Sequence, residues 1–391
     1  MAGYIMSLKK TSSKKIDILN PLETCISRGV YSTNMSSPIN NKWKTHHEST
    51  FSDYATMKEG DNIYFFIDRK IYGIGTLKNI NRDCKYNNYT SSSQPITPEY
   101  LDIKNELLVD LGEESINNRW ICTFEPTPFF FKNGVDMDDV LSSNPSKFRM
   151  LRAFYKLSFV KIDDDENKAL KDIILKKNEQ FLLNNTANEI LKFNNSTHNN
   201  IKLKLNENNY TLNVADILSS CNENETLSHE MALEAGILSQ LSNKDSHTES
   251  IFGNWDYISH QVIASPFKPL DYIDKMDVFG YKYIPGFYGT ISKYLLMELK
   301  KGDALPIDID QVMKYVDWIS QEYSYGDYSM INAFLVAKKF DSSIIEAKNK
   351  FAQRNYIVGR RPPNFDIWTN LTLVEYTFNT SKNLLEFNII D

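Results

Sequence analysis

An apolar run that ends in two opposite charges constrains this chain more than any other feature. Residues 294–302 read YLLMELKKG, so Glu298 and Lys300 follow a stretch of Leu and Met. Side chains alternate between the two faces of a strand, so these two charges project together while their apolar neighbours point into a core. Burying a carboxylate and an ammonium costs solvation free energy unless the charges interact with something. The run therefore predicts a buried strand of a sheet with a polar site at its end.

Other polar residues have a similar placement on neighbouring predicted elements. Asp277 stands alone inside the apolar run KMDVF, and a Pro-Gly turn predicts that this strand pairs antiparallel with the charged one. Gln311 and Tyr315 are four residues apart on a predicted helix and share one face, as do Glu230 and Glu234 on an upstream helix. Carboxylate oxygens suit a hard cation such as Mg²⁺ (or Mn²⁺), whose remaining positions hold water and phosphate oxygens. The sequence thus predicts a metal site for phosphate chemistry.

The order of these residues resembles the PD-(D/E)XK nuclease superfamily, in particular its RecB-like and NucS-like branches. A helical Glu, an Asp, a Glu-x-Lys strand and a Gln-x-x-x-Tyr helix follow one another in the same order. The resemblance implies a set of site residues: the metal ligands Asp277, Glu298 and Glu234, the catalytic Lys300, the supporting Gln311 and Tyr315, and Glu230 as the alternative helical acid. It also implies Mg²⁺-dependent hydrolysis of a phosphodiester.

The first 177 residues are rich in strand signals. Two aromatic and β-branched runs meet at an Asp-Arg-Lys turn over residues 61–75, and many short strands with few helices predict a small β-barrel-like domain. The runs KEGDNIYFF and IYGIG resemble the PUA-like fold of EVE and YTH domains. The resemblance implies a pocket for a flipped or modified base, with Trp43, Trp120 and Phe51 as candidates. Packing in the core is the alternative for each aromatic residue.

Two basic stretches are candidate contacts for DNA phosphates. Arg149, Arg152 and Lys156 alternate with aromatic residues in the run KFRMLRAFYK, which is equally consistent with the solvated face of a helix. Arg360 and Arg361 precede two prolines in a predicted loop near the acids. Both stretches therefore remain candidates for nucleic-acid binding.

An Asn-rich segment, residues 178–226, separates two apolar regions and predicts a polar linker or a small β-hairpin module. Within it, the alternating runs 201–205 and 210–214 flank a polar turn. The predicted domains are therefore a recognition or sensor domain at 1–177, this linker, and a nuclease domain at 227–391. The fold class is α+β or α/β multidomain: an N-terminal PUA-like β-barrel and a C-terminal restriction-endonuclease-like mixed sheet flanked by helices.

Hydropathy, cysteine usage and charge bear on the cellular compartment of the protein and on its partners. No run approaches 18 apolar residues and the N-terminus has no apolar signal segment, so we expect neither a membrane span nor secretion. The four cysteines lie far apart, which favours a reducing cytoplasm. The net charge of −6 argues against DNA for the chain as a whole. Residues 1–160, however, carry 20 Lys and Arg against 18 Asp and Glu, so the acidity lies in the second half.

These observations lead us to expect a cytoplasmic, Mg²⁺-dependent endonuclease that cuts double-stranded DNA as a dimer or tetramer. The resemblance implies a role in defence against phage or plasmid DNA, with the N-terminal domain recognising modified bases or other DNA features. Three alternatives stay open: a Shedu-type nuclease that senses DNA ends, a NucS-like repair nuclease, and a non-catalytic nucleic-acid-binding protein with a degenerate nuclease fold.

Overall fold

The chain divides into two compact units, Met1–Asn213 and Val214–Asp391, each of which mixes helices and strands. The computed structural model describes residues 1–8, 19–33, 51–88, 98–107, 119–149, 159–184, 187–207, 210–212, 214–223, 226–266 and 273–390. No helix in these stretches is both long enough and apolar enough to cross a membrane.

The first unit is built on an eight-stranded sheet in the order β2-β6-β4-β3-β1-β9, with β5 beside β6 and β8 beside β4. Its strands are β1 (Gly3–Ser7), β2 (Val30–Ser32), β3 (Asn62–Ile67), β4 (Lys70–Leu77), β5 (Lys85–Asn88), β6 (Arg119–Pro126), β7 (Phe130–Phe131), β8 (Val135–Asp136), β9 (Phe159–Ile162) and β10 (Ile190–Leu191). Its helices are α1 (Leu19–Arg28), α2 (Pro98–Leu107), α3 (Met137–Ser143), α4 (Asp164–Lys177), α5 (Glu179–Leu183) and α6 (Ser196–Leu205). Residues 51–55 are also helical.

The predicted hairpin at residues 61–75 is confirmed. Strands β3 and β4 pair antiparallel, and Ile67 lies opposite Lys70 across a two-residue turn. Asp68 and Arg69 at this turn have φ values of 50° and 66°, which a two-residue turn between twisted strands requires.

The hairpin predicted at residues 201–214 is wrong. Residues 201–205 belong to helix α6, whose buried side chains are Thr197, His198, Ile201 and Leu205. These residues recur at intervals of three or four, so the helical period prevails over the alternation of IKLKL. Along the sequence, the boundary between the two compact units falls between residues 213 and 214, inside the Asn-rich segment.

The second unit contains a six-stranded sheet in the order β13-β14-β15-β16-β19-β20. Its strands are β11 (Asn222–Glu223), β12 (Thr226–Leu227), β13 (Tyr257–Ile263), β14 (Lys275–Ile284), β15 (Phe287–Leu299), β16 (Ile331–Ala337), β17 (Arg354–Arg360), β18 (Pro363–Trp368), β19 (Leu371–Asn379) and β20 (Leu384–Ile390). Its helices are α7 (Val214–Ser220), α8 (Glu230–Ser242), α9 (Ser246–Phe252), α10 (Pro306–Glu322) and α11 (Ser342–Phe351). The sheet is mixed, because β15, β16 and β19 run parallel whereas β13–β14, β14–β15 and β19–β20 are antiparallel pairs.

The loop predicted around Arg360 and Arg361 is confirmed for Arg361, which lies in a turn, and is wrong for Arg360, which belongs to a strand. Arg360 ends strand β17 and pairs with Pro363 of β18, which places both arginines at the exposed tip of a two-stranded ribbon. The base of this ribbon is fixed by Arg354, whose guanidinium donates to both carboxylate oxygens of Asp317 on α10 at 2.8 and 2.9 Å. Most ribbon side chains are exposed, so the strands lack the buried pattern that indicates a strand in a sequence.

Strand β20 lies at one edge of the six-stranded sheet, and a side chain of α8 covers part of it. The amide nitrogen of Gln240 donates to the Leu385 carbonyl at 3.0 Å, and the amide oxygen accepts from the Leu385 N–H at 2.8 Å. The amide therefore pairs with the edge strand as a neighbouring backbone would. Gln240 is itself buried.

Candidate active site

Three adjacent strands bring three polar side chains into one row across the sheet. The pairing of Val278 with Met297 between β14 and β15 puts Asp277 opposite Glu298 at the next position. On the other side of β14, the pairs His260–Val278 and Val262–Met276 place Gln261 of β13 opposite Asp277. The expected neighbourhood of Asp277 and Glu298 is therefore present in the fold.

Asp277 sits at the point where strands β14 and β15 separate. One of its carboxylate oxygens, Oδ2, accepts a hydrogen bond from the Leu299 backbone N–H at 2.9 Å, in the position of a strand partner. The other, Oδ1, accepts from the amide nitrogen of Gln261 at 3.1 Å. The carboxylate is therefore fixed by one backbone donor and one side-chain donor.

Helix α8 contributes a fourth polar residue, Glu234. Its side chain is 1% exposed, and its Oε1 accepts a hydrogen bond of 2.9 Å from the amide nitrogen of Gln261. Its Oε2 is buried and has no hydrogen-bond partner in the part of the chain that the structure describes. Glu230, the alternative helical acid, lies one turn earlier on α8 and is exposed.

Lys300 and Glu298 form a close ion pair at the end of β15. The ammonium lies 2.7 Å from Oε1 of Glu298 and 3.9 Å from Oδ1 of Asp308. Glu298 is 1% exposed, and its second oxygen, Oε2, is buried without a hydrogen-bond partner among the described residues. A buried carboxylate oxygen without a donor costs about 1–3 kcal/mol or more, so each of these two oxygens favours a bound proton or a cation.

Burial dominates the electrostatics of the acids. It raises the pKa of Glu298 to about 8, and the charge of Asp277 adds to this rise while Lys300 opposes it. Burial also raises the pKa of Asp277 to about 6, although the Leu299 N–H lowers it. The pKa of Glu234 lies well above its ordinary value for the same reason, with the charge of Asp277 as the second cause. Without a cation, the site holds protons near neutral pH.

The opposite shift keeps Lys300 charged. Burial alone would lower the pKa of Lys300, but the charge and hydrogen bond of Glu298, together with the charge of Asp277, raise it above its ordinary value. The acids therefore favour the ammonium form of Lys300.

The predicted helix pair is present on α10. The amide nitrogen of Gln311 donates to the Tyr315 hydroxyl at 3.2 Å. Burial raises the pKa of Tyr315 to about 12, and the charges of Glu298 and Asp277 contribute to the rise. The Tyr315 ring is buried.

The described residues contain no group of three or more His, Cys, Asp or Glu side chains placed to hold a metal ion together. Asp277, Glu298 and Glu234 are thus not assembled as a three-carboxylate ligand group. Mg²⁺ does not need one, because it usually keeps several waters and binds one or two protein carboxylates. The donor set of Asp277 and Glu298, with the unpartnered Oε2 of Glu298, fits such a two-carboxylate site.

Gln261 is a site residue that the sequence analysis missed. It lies inside the apolar strand β13, and it contacts Glu234 and Asp277 at once. The sequence offers one signal, a polar amide between Ser259-His260 and Val262-Ile263 in a strand that is otherwise buried. That signal does not reveal which residues the amide would meet.

Two aromatic candidates for a base-binding pocket in the first unit lie in its core instead. Trp120 is fully buried, and its ring packs 5.0 Å from Phe51 and 5.3 Å from Tyr54, centroid to centroid. The structure therefore places Trp120 and Phe51 in an aromatic core, which is the alternative considered for them. Trp43 lies outside the described residues.

The basic candidates are only partly described. Arg152 and Lys156 lie outside the described residues. Arg149 is half-buried and donates from Nε to the Ser146 carbonyl at 3.2 Å. Arg360 and Arg361 are exposed at the tip of the β17–β18 ribbon. A contact of any of these residues with DNA remains a prediction.

No protein-family model matches the chain, and no curated protein matches its sequence. Among solved structures, a repair endonuclease from Pyrococcus abyssi matches 34% of this chain and 46% of its own length, at 18% identity and a TM-score of 0.21. A hypothetical protein from Leishmania major matches at 12% identity and a TM-score of 0.27, over 46% of this chain and 97% of its own. A protein from Pseudomonas putida matches at 12% identity and a TM-score of 0.24, over 44% and 97%. TM-scores this low do not establish a shared fold.

Proposed function

We propose that the second unit is a Mg²⁺-dependent nuclease that hydrolyses phosphodiester bonds of DNA. One observation carries the proposal. Glu298 lies opposite Asp277 on the adjacent strand, its buried Oε2 has no hydrogen-bond partner among the described residues, and its Oε1 lies 2.7 Å from the Lys300 ammonium. Two acids and a permanent cation at one strand end provide what phosphate chemistry needs, namely metal ligands and positive charge.

In this proposal Asp277 and Glu298 would hold the ion, and water would complete its coordination. The bound ion supplies a Lewis acid to a phosphate oxygen and lowers the pKa of a coordinated water. The backbone N–H of Leu299 and the amide of Gln261 hold Asp277 in place through its two oxygens. The neighbouring Lys300 orients the attacking water or neutralises the charge that develops on the phosphate.

Removing the ammonium tests the proposal. We expect Lys300→Ala to fold and to lose at least about a hundredfold in the rate of Mg²⁺-dependent cleavage, the typical cost of losing one preorganised electrostatic group. Lys301→Ala is the matched control, because Lys301 is the next residue along and bonds the Ser228 carbonyl instead of the acids. Unchanged cleavage by Lys300→Ala, with EDTA abolishing the wild-type reaction, would contradict the assigned role.

The substrate decides between the finer alternatives. We propose that the first unit recognises modified bases or other DNA features, and that the protein acts in the cytoplasm as a dimer or tetramer in defence against foreign DNA. Phage DNA with and without cytosine modification, in Mg²⁺ and in EDTA, tests the first point. Cutting of unmodified linear DNA alone favours the Shedu-type alternative, and cutting of mismatched duplexes favours the NucS-like one. DNA binding without cleavage of any substrate favours the non-catalytic protein.

A further inference from the structure

The amide of Gln261 joins two acids that have no direct hydrogen bond to each other among the described residues. Its nitrogen lies 2.9 Å from Oε1 of Glu234 and 3.1 Å from Oδ1 of Asp277, so its two N–H bonds can serve both carboxylates at once. One end of this bridge is the acid opposite Glu298. The other end is a buried glutamate on α8 whose Oε2 has no donor.

The backbone at Gln261 is unusual for a strand. Its φ is 52°, in the left-handed region that non-glycine residues rarely adopt. The flanking pairs His260–Val278 and Val262–Met276 are kept, whereas Gln261 itself leaves the ladder. A left-handed residue costs on the order of 1–2 kcal/mol, and such strain persists only where the surroundings impose it. Here the residue with the left-handed conformation, Gln261, is the one whose amide contacts both acids.

A purely structural role for Gln261 explains this geometry poorly. Val262 and Ile263 of β13 are buried, whereas Gln261 is half-buried and directs its amide to two acids. Linking Glu234 to Asp277 through one nitrogen instead fixes the rotamer of Asp277, whose other oxygen is already held by Leu299. Donors of this kind behind a metal ligand set its orientation, and their removal typically lowers metal affinity 10- to 100-fold.

We propose that Gln261 is a positioning residue for the divalent cation: its amide, backed by Glu234, holds Asp277 in the orientation that binds the ion. The inference rests on the proposed metal site but adds a residue and a linkage to it. Glu234 then acts through Gln261 instead of as a direct third ligand, which agrees with the lack of a three-carboxylate group among the described residues.

Gln261→Gly tests this inference without endangering the fold. Glycine adopts a positive φ at no steric cost, so the variant keeps the backbone and removes only the amide. We expect Mg²⁺ binding by the full chain, measured by titration calorimetry, to weaken at least tenfold, while the loss of the donor to the buried Glu234 lowers the unfolding free energy by about 1–3 kcal/mol and leaves the chain folded. Cleavage by the variant should recover when the Mg²⁺ concentration is raised by the same factor, because the variant keeps Asp277 and Glu298 and still binds the ion, only more weakly.

The matched control is Lys244→Gly, which removes a side chain from another left-handed position of the same unit. Lys244 has a φ of 56° and is exposed. Its replacement should leave Mg²⁺ affinity unchanged. Gln261→Gly with wild-type Mg²⁺ affinity, or a wild type that binds no Mg²⁺ at millimolar concentration, overturns the inference. A wild type that binds Mg²⁺ with the expected Gln261 dependence but cuts no DNA leaves the inference standing and overturns the proposed nuclease function instead.

Discussion

Replacing Glu298 by Gln is expected to make the metal-free protein less sensitive to alkaline pH. Burial raises the pKa of Glu298 from its ordinary 4.5 to about 8 in the folded chain, so the folded state binds a proton that the unfolded state releases. The resulting stability is fully present below about pH 4.5 and is lost as the pH rises through about 8. At about 1.4 kcal/mol per pH unit, this rise corresponds to at most about 5 kcal/mol of unfolding free energy. A glutamine cannot ionise and avoids that loss.

Urea unfolding in EDTA at pH 5 and at pH 8.5 measures the effect. Between these values, the wild type should lose a few kcal/mol relative to Glu298→Gln, and comparing two pH values removes the pH-independent cost of losing the partner of Lys300. Glu346→Gln, on the exposed face of α11, is the control and should follow the wild type. Parallel pH profiles for the wild type and Glu298→Gln would refute the assignment of a proton to this buried acid.

Two further predictions concern the metal and the aromatic core. Mg²⁺ binding near pH 6.5 should release protons, because acids whose pKa values burial raises to about 6 and about 8 must ionise to bind the ion. Calorimetry in buffers of different ionisation enthalpy measures this release, and binding heats that do not depend on the buffer would contradict it. Trp120→Ala should lower the unfolding free energy by about 3–5 kcal/mol, since the indole is fully buried against Phe51 and Tyr54. An unchanged unfolding temperature with weakened DNA binding would restore Trp120 as a pocket residue.

The sequence predicts the central part of the site because local periodicity suffices there. Alternation along residues 294–302 indicates that Glu298 and Lys300 share a face, and the Pro-Gly turn indicates that the strand of Asp277 pairs antiparallel with this one. The register itself did not follow from the turn, because two irregularities between Lys282 and Ile284 shift the pairing of β14 and β15 and so bring Asp277 opposite Glu298. The helical period likewise identifies the face of α10 that carries Gln311 and Tyr315.

Elements that depend on distant contacts were less predictable. Gln261 enters the site through a left-handed residue inside a strand, a conformation that no local pattern signals. The run IKLKL satisfies both a strand and a helix, because Ile201 and Leu205 are also four residues apart, and only the buried face of α6 decides between them. The β17–β18 ribbon lacks a buried stripe, and its tip at Arg361-Pro362 has the composition of a loop.

The amide of Gln240 also affects the tendency of the protein to aggregate at high concentration. A bare edge strand offers its free N–H and C=O groups to any other extended chain and so invites intermolecular sheet growth. At Leu385 those groups of β20 are already occupied by a side chain from the same unit. A second strand could not add there without first expelling a buried amide. One glutamine thus gives the second unit a local barrier against self-association through this edge.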